Sequence, residues 1–222
     1  MNTPGTIRAL AIETSGQPGS IALEVTGRHV ERTLGNARAH AADLFPTLRD
    51  LLDELGAGAT PDALVGLERV IVGTGPGSFT GLRIGAAAAR GISHATGATL
   101  VGVPSFAASA LDAVEEGISC VLARDARAGR LYVARYTKTA CGLVTLDAPR
   151  AIPTREFPQF LRGSERVFAD DAVWRACDRT PPAEHRGPPP VPRASSLLEL
   201  AKSEHAGDSL PLYLFDFGKA AG

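Results

Sequence analysis

A chain of 222 residues with 44% hydrophobic and 21% charged residues can bury a substantial core, as one domain or two compact lobes. Its 23 Lys and Arg nearly balance 24 Asp and Glu, so a formal charge of −1 gives no overall basic footprint for nucleic acid. Three cysteines, odd in number and widely spaced, argue against a disulfide scaffold or a thiolate zinc site, and no run nears the ~18 apolar residues of a membrane span.

In chain order, apolar runs at 7–12 and 19–25 flank Gly16, Gln17, Pro18 and Gly19, which predicts a hairpin with a glycine-rich turn. A third strand is expected over 28–34. Leu44, Leu48, Leu51, Leu52 and Leu55 recur at helical spacing, so 41–55 reads as an amphipathic helix ended by Gly56 and Gly58, with Pro46 near its first turn or at a kink. A strand at 69–73, a helix at 78–95 and a strand at 98–103 follow, and together with the hairpin they predict a mixed sheet with helices against it. A second lobe is expected from 105, with a helix over 105–115 and a hairpin of 119–125 and 130–137. The stretch 140–178 is interrupted by Pro149, Pro153 and Pro158 and yields no clear elements. Six prolines between 181 and 192 suit a stiff surface loop or a ligand for a proline-reading domain. A helix at 195–202 and a strand at 210–215 close the chain. The N-terminus lacks a basic segment followed by an apolar core, so a cytoplasmic protein is expected.

The densest signal is GTGPGSFTGLRIG at 73–85, between the apolar Val70, Ile71, Val72 and the alanines 86–89. It opens a helix from a buried strand but is not a Walker loop, a dinucleotide fingerprint or a hydrolase elbow, because Gly77 precedes Ser78 and Phe79 and the spacings differ. Gly77, Gly81, Gly85 and Ala89 fall every four residues on one helix face. Glycine within a helix costs about 1 kcal/mol against alanine, so the stripe needs a compensating contact. Two readings stand: a seam for a close-packing helix, or a cradle for phosphate. At the first strand's end, Glu13, Thr14 and Ser15 either cap the turn or meet nucleotide phosphates. Asp125, Arg127 and Tyr132 either bind a ligand or brace their hairpin. The histidines at 29, 40, 94, 185 and 205 show no i, i+4 pair, and no Ser/His/Asp or Cys/His constellation can be assembled, so no catalytic and no metal-ligating residue is assigned.

The glycine loop resembles a family signature, GxGPGSFTGxRIG, found in the bacterial TsaB (YeaZ) family. LAIETSGQPGSIAL at 10–23, RAHAADLFPTLRDLL at 38–52, ARGISHATGATLVGVPSF at 89–106 and the DAR-x-G-x-[VL]-Y element in VLARDARAGRLYVARY at 121–136 are similar to that family in the same order. The resemblance implies an α/β, two-lobed actin/Hsp70/sugar-kinase-like fold with mixed sheets and a reduced second lobe. It places residues 1–104 in the first lobe and 105–222 in the second, with a proline-rich loop at 180–193 and a terminal helix and strand packing back on the first lobe.

It also implies a non-catalytic partner subunit for threonylcarbamoylation of adenosine 37 in tRNAs. Such a subunit binds and activates the catalytic paralogue TsaD, helps recruit the ATPase TsaE, and meets tRNA indirectly through the complex. A homodimer through the same helices is also implied. No tightly bound cofactor is expected, with ATP or ADP only at the complex. The implied partner interface comprises Leu44, Leu48, Leu51, Leu52, Gly77, Phe79, Gly81, Arg83, Ile84 and Gly85. The implied vestigial nucleotide site comprises Glu13, Thr14, Ser15, Gly75, Gly77 and Ser78. Two competing functions are a stand-alone ATP-dependent phosphotransferase or metallopeptidase-like enzyme of the same fold group, and a plain self-associating scaffold. The chain departs from the family at Phe215, where an arginine is expected, and in its proline-rich insertion.

Overall fold

The computed structural model describes residues 6–211 apart from 27, 36–39, 59 and 178–181. The chain runs β1 (Ile7–Glu13), β2 (Ser20–Val25), β3 (Arg28–Thr33), α1 (His40–Glu54), β4 (Arg69–Gly73), α2 (Phe79–Thr96), β5 (Thr99–Val103) and α3 (Ser105–Ala113). It continues as β6 (Ser119–Arg127), β7 (Arg130–Thr139), β8 (Gly142–Pro153), α4 (Phe157–Phe160), β9 (Arg166–Ala169), α5 (Asp171–Ala176), β10 (Arg186–Gly187) and α6 (Ala194–Leu200). Two compact units result, the first holding residues up to Ala108 together with 191–211, the second 109–190. The division thus falls inside α3, whereas the sequence reading placed it after 104, and the chain returns to the first unit through α6. The expected closing strand lies mostly outside the described residues, as does Phe215.

The first unit's sheet has the order β3-β2-β1-β4-β5, antiparallel across the β1–β2–β3 meander and parallel across β1, β4 and β5. β1 is central and buried on both faces, which strand alternation converts into two packing surfaces. Leu10, Ile12, Val70 and Val72 join the α1 leucines and Ala88, Ala89 and Ile92 of α2 in one core cluster. Ala9 and Ala11 point the other way, and α6 packs against β1, β2 and β4. α1 ends at Gly56, whose φ of +70° lets the amides of Gly56 and Ala57 turn back onto the carbonyls of Asp53 and Leu52. Pro46 sits inside α1, where its ring removes one backbone donor.

The return segment is clasped to the meander by Glu31. Its carboxylate accepts Arg193 Nε at 3.0 Å and Nη2 at 2.6 Å, Ser195 Oγ at 2.9 Å and the Ser195 amide at 3.2 Å. Burial alone would raise the Glu31 pKa, but the Arg193 and Ser195 bonds outweigh it and hold the carboxyl below its ordinary 4.5. A depressed folded-state pKa makes this contribution complete above the unfolded value and lost as the pH falls through the folded one. Glu31→Gln is therefore expected to lower unfolding stability by about 1–2 kcal/mol at neutral pH. In urea titrations the gap between variant and wild type should close on acidification below the ordinary carboxylate range; a gap independent of pH would remove the clasp from the account.

The second unit's sheet has the order β10-β9-β6-β7-β8, also mixed. One face carries a core of Val121, Ala123, Leu131, Val133, Ile152 and Val167 against Phe157 and Val173. The stretch that looked illegible in sequence contains the 12-residue strand β8. Pro149 and Pro153 are compatible with it because β8 is an edge strand, with a ladder on one side only. The proline-rich segment is held from within its own unit, where the Pro190 carbonyl accepts Ser109 Oγ at 2.9 Å and Arg124 Nη2 at 3.2 Å.

Candidate functional site

The glycine loop meets the Glu13–Ser15 turn. Side chains at positions 77, 81 and 85 would all run into that turn: a Cβ at 77 would lie 2.5 Å from the Ser15 carbonyl oxygen, one at 81 would overlap the Thr14 carbonyl, and one at 85 would overlap Thr14 Oγ1. The glycine stripe of α2 is consequently a seam, but its partner is the end of β1 rather than another helix. Hydrogen bonds close the junction: Thr14 Oγ1 donates to the Gly81 carbonyl at 2.8 Å and the Ser78 amide donates to the Ser15 carbonyl at 2.8 Å. Ser78 caps α2, accepting the Gly81 amide at 3.2 Å.

Glu13 lies beneath this junction, fully buried. Its carboxylate accepts the Ser15 amide at 2.6 Å and Ser105 Oγ at 2.7 Å, while Ser105 Oγ in turn accepts the Gly75 amide at 3.0 Å. Ser105 went unnoticed in the sequence because nothing local marks a serine at a helix start as the partner of a residue 92 positions away. The six residues expected to form a nucleotide site, Glu13, Thr14, Ser15, Gly75, Gly77 and Ser78, are brought together, but as an internal brace. Glu13, Thr14 and Ser15 are at most 3% exposed, so their polar groups do not face a ligand space, and Ser15 Oγ is buried without a hydrogen-bond partner.

The residues expected to form the partner surface divide between the unit's interior and its exterior. Leu44, Leu48, Leu51 and Leu52 are at most 5% exposed and fill the unit's own core, because the sheet claims the apolar stripe of α1. Gly77, Gly81 and Gly85 face the turn. What the two helices leave outward is Phe79, 44% exposed with the Arg83 guanidinium 3.9 Å over its ring, half-buried Ile84, and Phe45, 55% exposed on α1. Phe45 falls at the edge of the leucine stripe at 3.6 residues per turn, so helical phase alone did not mark it as exposed. Gly91 is exposed mid-helix with nothing among the described residues within 4 Å of an added Cβ, so none of them compensates its helical cost.

Asp125 Oδ1 accepts the Arg127 amide at 2.8 Å, and Arg127 and Ala128 both adopt positive φ, which favours the bracing role for that element. Among the described residues, no three His, Cys, Asp or Glu gather as a metal site, and no helix is long and apolar enough to cross a membrane.

A family model described as TsaD, tRNA N6-adenosine threonylcarbamoyltransferase, matches residues 35–149, more than half of the chain. The chain is 33% identical over 142 residues to the tRNA threonylcarbamoyladenosine biosynthesis protein TsaB of Escherichia coli, a match spanning 62% of this chain and 58% of that protein. The structure is similar to that of YeaZ from Pseudomonas aeruginosa, with TM-score 0.75 and 26% identity over 93% of this chain and 99% of that one. A second Pseudomonas aeruginosa structure, described as an uncharacterized protein with similarity to peptidase YEAZ, gives TM-score 0.77 at 27% identity over the same shares. Two mixed sheets with flanking helices and these neighbours make the fold an actin-like α/β fold. Sharing that fold, the ordered motifs and the transferase-type domain, the chain belongs to the TsaB/YeaZ family.

Proposed function

We propose that this protein is an accessory subunit in the synthesis of threonylcarbamoyladenosine at position 37 of tRNA, binding and activating the catalytic paralogue TsaD and helping to recruit the ATPase TsaE. The observation that carries this reading is the use of the glycine loop as an internal brace. A turn that in a phosphotransferase would be open to phosphate is here closed by its own backbone, while Phe45, Phe79 and Arg83 on the outer sides of α1 and α2 remain exposed. Exposed aromatic and arginine side chains are the residue types that anchor protein interfaces. The subunit contributes surface and no reacting group, ATP or ADP is bound only once the complex forms, and without the paralogue the same surface supports a homodimer. A stand-alone phosphotransferase or metallopeptidase would need the Glu13 junction to open.

Depleting the protein in its host should abolish threonylcarbamoyladenosine in hydrolysed bulk tRNA, measured by mass spectrometry. Re-expression of wild type should restore it, and a Phe45→Asp/Phe79→Asp double variant should not, while folding to the same helical content. An unchanged nucleoside level at verified depletion would overturn the pathway; full rescue by the double variant would overturn the interface.

A further inference from the structure

The sequence intersperses arginines with acidic residues and leaves open whether folding gathers them. In the second unit it does. Between residues 126 and 162 the chain carries seven Lys and Arg (127, 130, 135, 138, 150, 155 and 162) against two acids, Asp147 and Glu156, although the whole chain is at −1. Strand pairing folds this segment onto itself. Arg130 lies opposite Pro153, the Thr154 amide donates to the Gly129 carbonyl at 2.9 Å, and Arg130 Nη2 donates to the Ala151 carbonyl at 3.0 Å, so the β6–β7 turn abuts residues 154–156. Beside it, Arg150, Arg162, Glu156 and Phe160 line an open cavity of about 390 Å³ with Asp147 and the buried Arg135.

Of the acids of this region, Asp147 and Glu165 are already engaged, while Glu156 is exposed on the cavity wall. Asp147 accepts from Arg135 and stands 3.5 Å from Arg162 Nη2, and buried Glu165 is held by Arg135 and by the amides of Arg162 and Ser164. The Phe160 ring packs under two guanidiniums, Arg135 at 4.6 Å and Arg150 at 5.4 Å. Arg150 on the cavity wall and Arg155 in the neighbouring 154–156 turn are exposed, and no carboxylate among the described residues lies within ion-pair distance of either. The Arg162 side chain is 65% exposed. These three guanidiniums are not needed to neutralise buried charge, and each presents a planar donor fork to solvent, the geometry that matches phosphate oxygens. Guanidiniums clustered around a single aromatic ring present repeated donor forks, the arrangement of contacts that position a protein on a phosphate backbone.

We infer that this surface of the second unit contacts the phosphate backbone of tRNA, which goes beyond the indirect contact that the family resemblance implies. The identity of the RNA rests on the function proposed above; the surface itself does not. The test is direct binding of the full-length chain to an unmodified tRNA transcript, by fluorescence anisotropy over a salt series. Wild type should bind with strong salt dependence. Arg150→Gln/Arg155→Gln/Arg162→Gln should weaken binding at least about tenfold at low salt and flatten the log–log salt slope by about 2 to 3, whereas Arg49→Gln/Arg90→Gln on exposed positions of α1 and α2 should change neither. No binding by wild type, or equal binding by the triple variant, overturns the inference. Displacement of tRNA by polyglutamate at equal charge concentration also overturns it, since the patch would then select for charge and not for phosphodiester. Because the binding assay is independent of the nucleoside measurement, loss of threonylcarbamoyladenosine on depletion with unaltered triple-variant binding would sink the surface alone. Unchanged nucleoside with lost binding would sink the pathway alone.

Discussion

Gly81→Ala should be among the most damaging single-methyl changes the chain can receive. In an exposed helix the substitution would stabilise by about 1 kcal/mol. Here the new Cβ falls on the Thr14 carbonyl oxygen, a backbone atom that cannot swing aside as a flexible side chain would. Either α2 lifts off β1 and β4 or the Glu13–Ser15 turn shifts, and both break the Thr14–Gly81 and Ser78–Ser15 hydrogen bonds. Overpacking of this kind, with lost buried hydrogen bonds, should cost at least about 3 kcal/mol, which is a fall in Tm of roughly 10 °C for a chain of this size. Gly91→Ala supplies the control on the same helix: with open space around the added methyl, it should raise stability by up to about 1 kcal/mol. Calorimetry on the two variants would separate them by opposite signs of ΔTm. Equal behaviour would mean that the close approach of α2 to the turn is wrong.

Glu13→Gln is expected to produce the second large effect and to separate brace from reactive group. The carboxylate accepts from two donors at once, the Ser15 amide and the Ser105 hydroxyl, both buried. Glutamine keeps the shape but turns one acceptor into a donor, leaving either Ser15 N–H or Ser105 O–H facing another donor. An unsatisfied buried donor costs about 1–3 kcal/mol, so stability measured by urea unfolding should drop by about that amount. Because the role assigned to Glu13 is structural, tRNA threonylcarbamoylation in the host should persist at temperatures where the variant stays folded. Loss of the modification by a variant as stable as wild type would instead make Glu13 a participant in the chemistry.

Much of this molecule is legible in local pattern. The alternation of β1, the leucine spacing of α1, Gly56 as a helix stop and the GPGSFTG entry to α2 each depend on neighbours within a few residues, where backbone sterics and helical or strand period dominate. β8 escaped detection for the opposite reason: prolines break strands in general, and only its position at a sheet edge makes Pro149 and Pro153 tolerable. The helix pair shows the same division. Leucine periodicity says that α1 has an apolar face, yet whether that face meets the sheet or a partner depends on what stands across from it, and the sheet does.

By itself, then, the sequence determined the family, the mixed α/β class, the order of most elements and the special nature of the 73–85 loop, because those are carried by short-range spacing. Tertiary structure alone decided what the glycines touch, which side chains of α1 and α2 remain exposed, and that Glu13 is bound to Ser105. It also decided that Arg135, Arg150 and Arg162, spread over three segments, line one cavity. Each is a juxtaposition of residues distant in the chain, set by strand pairing and close packing, for which no local periodicity leaves a trace.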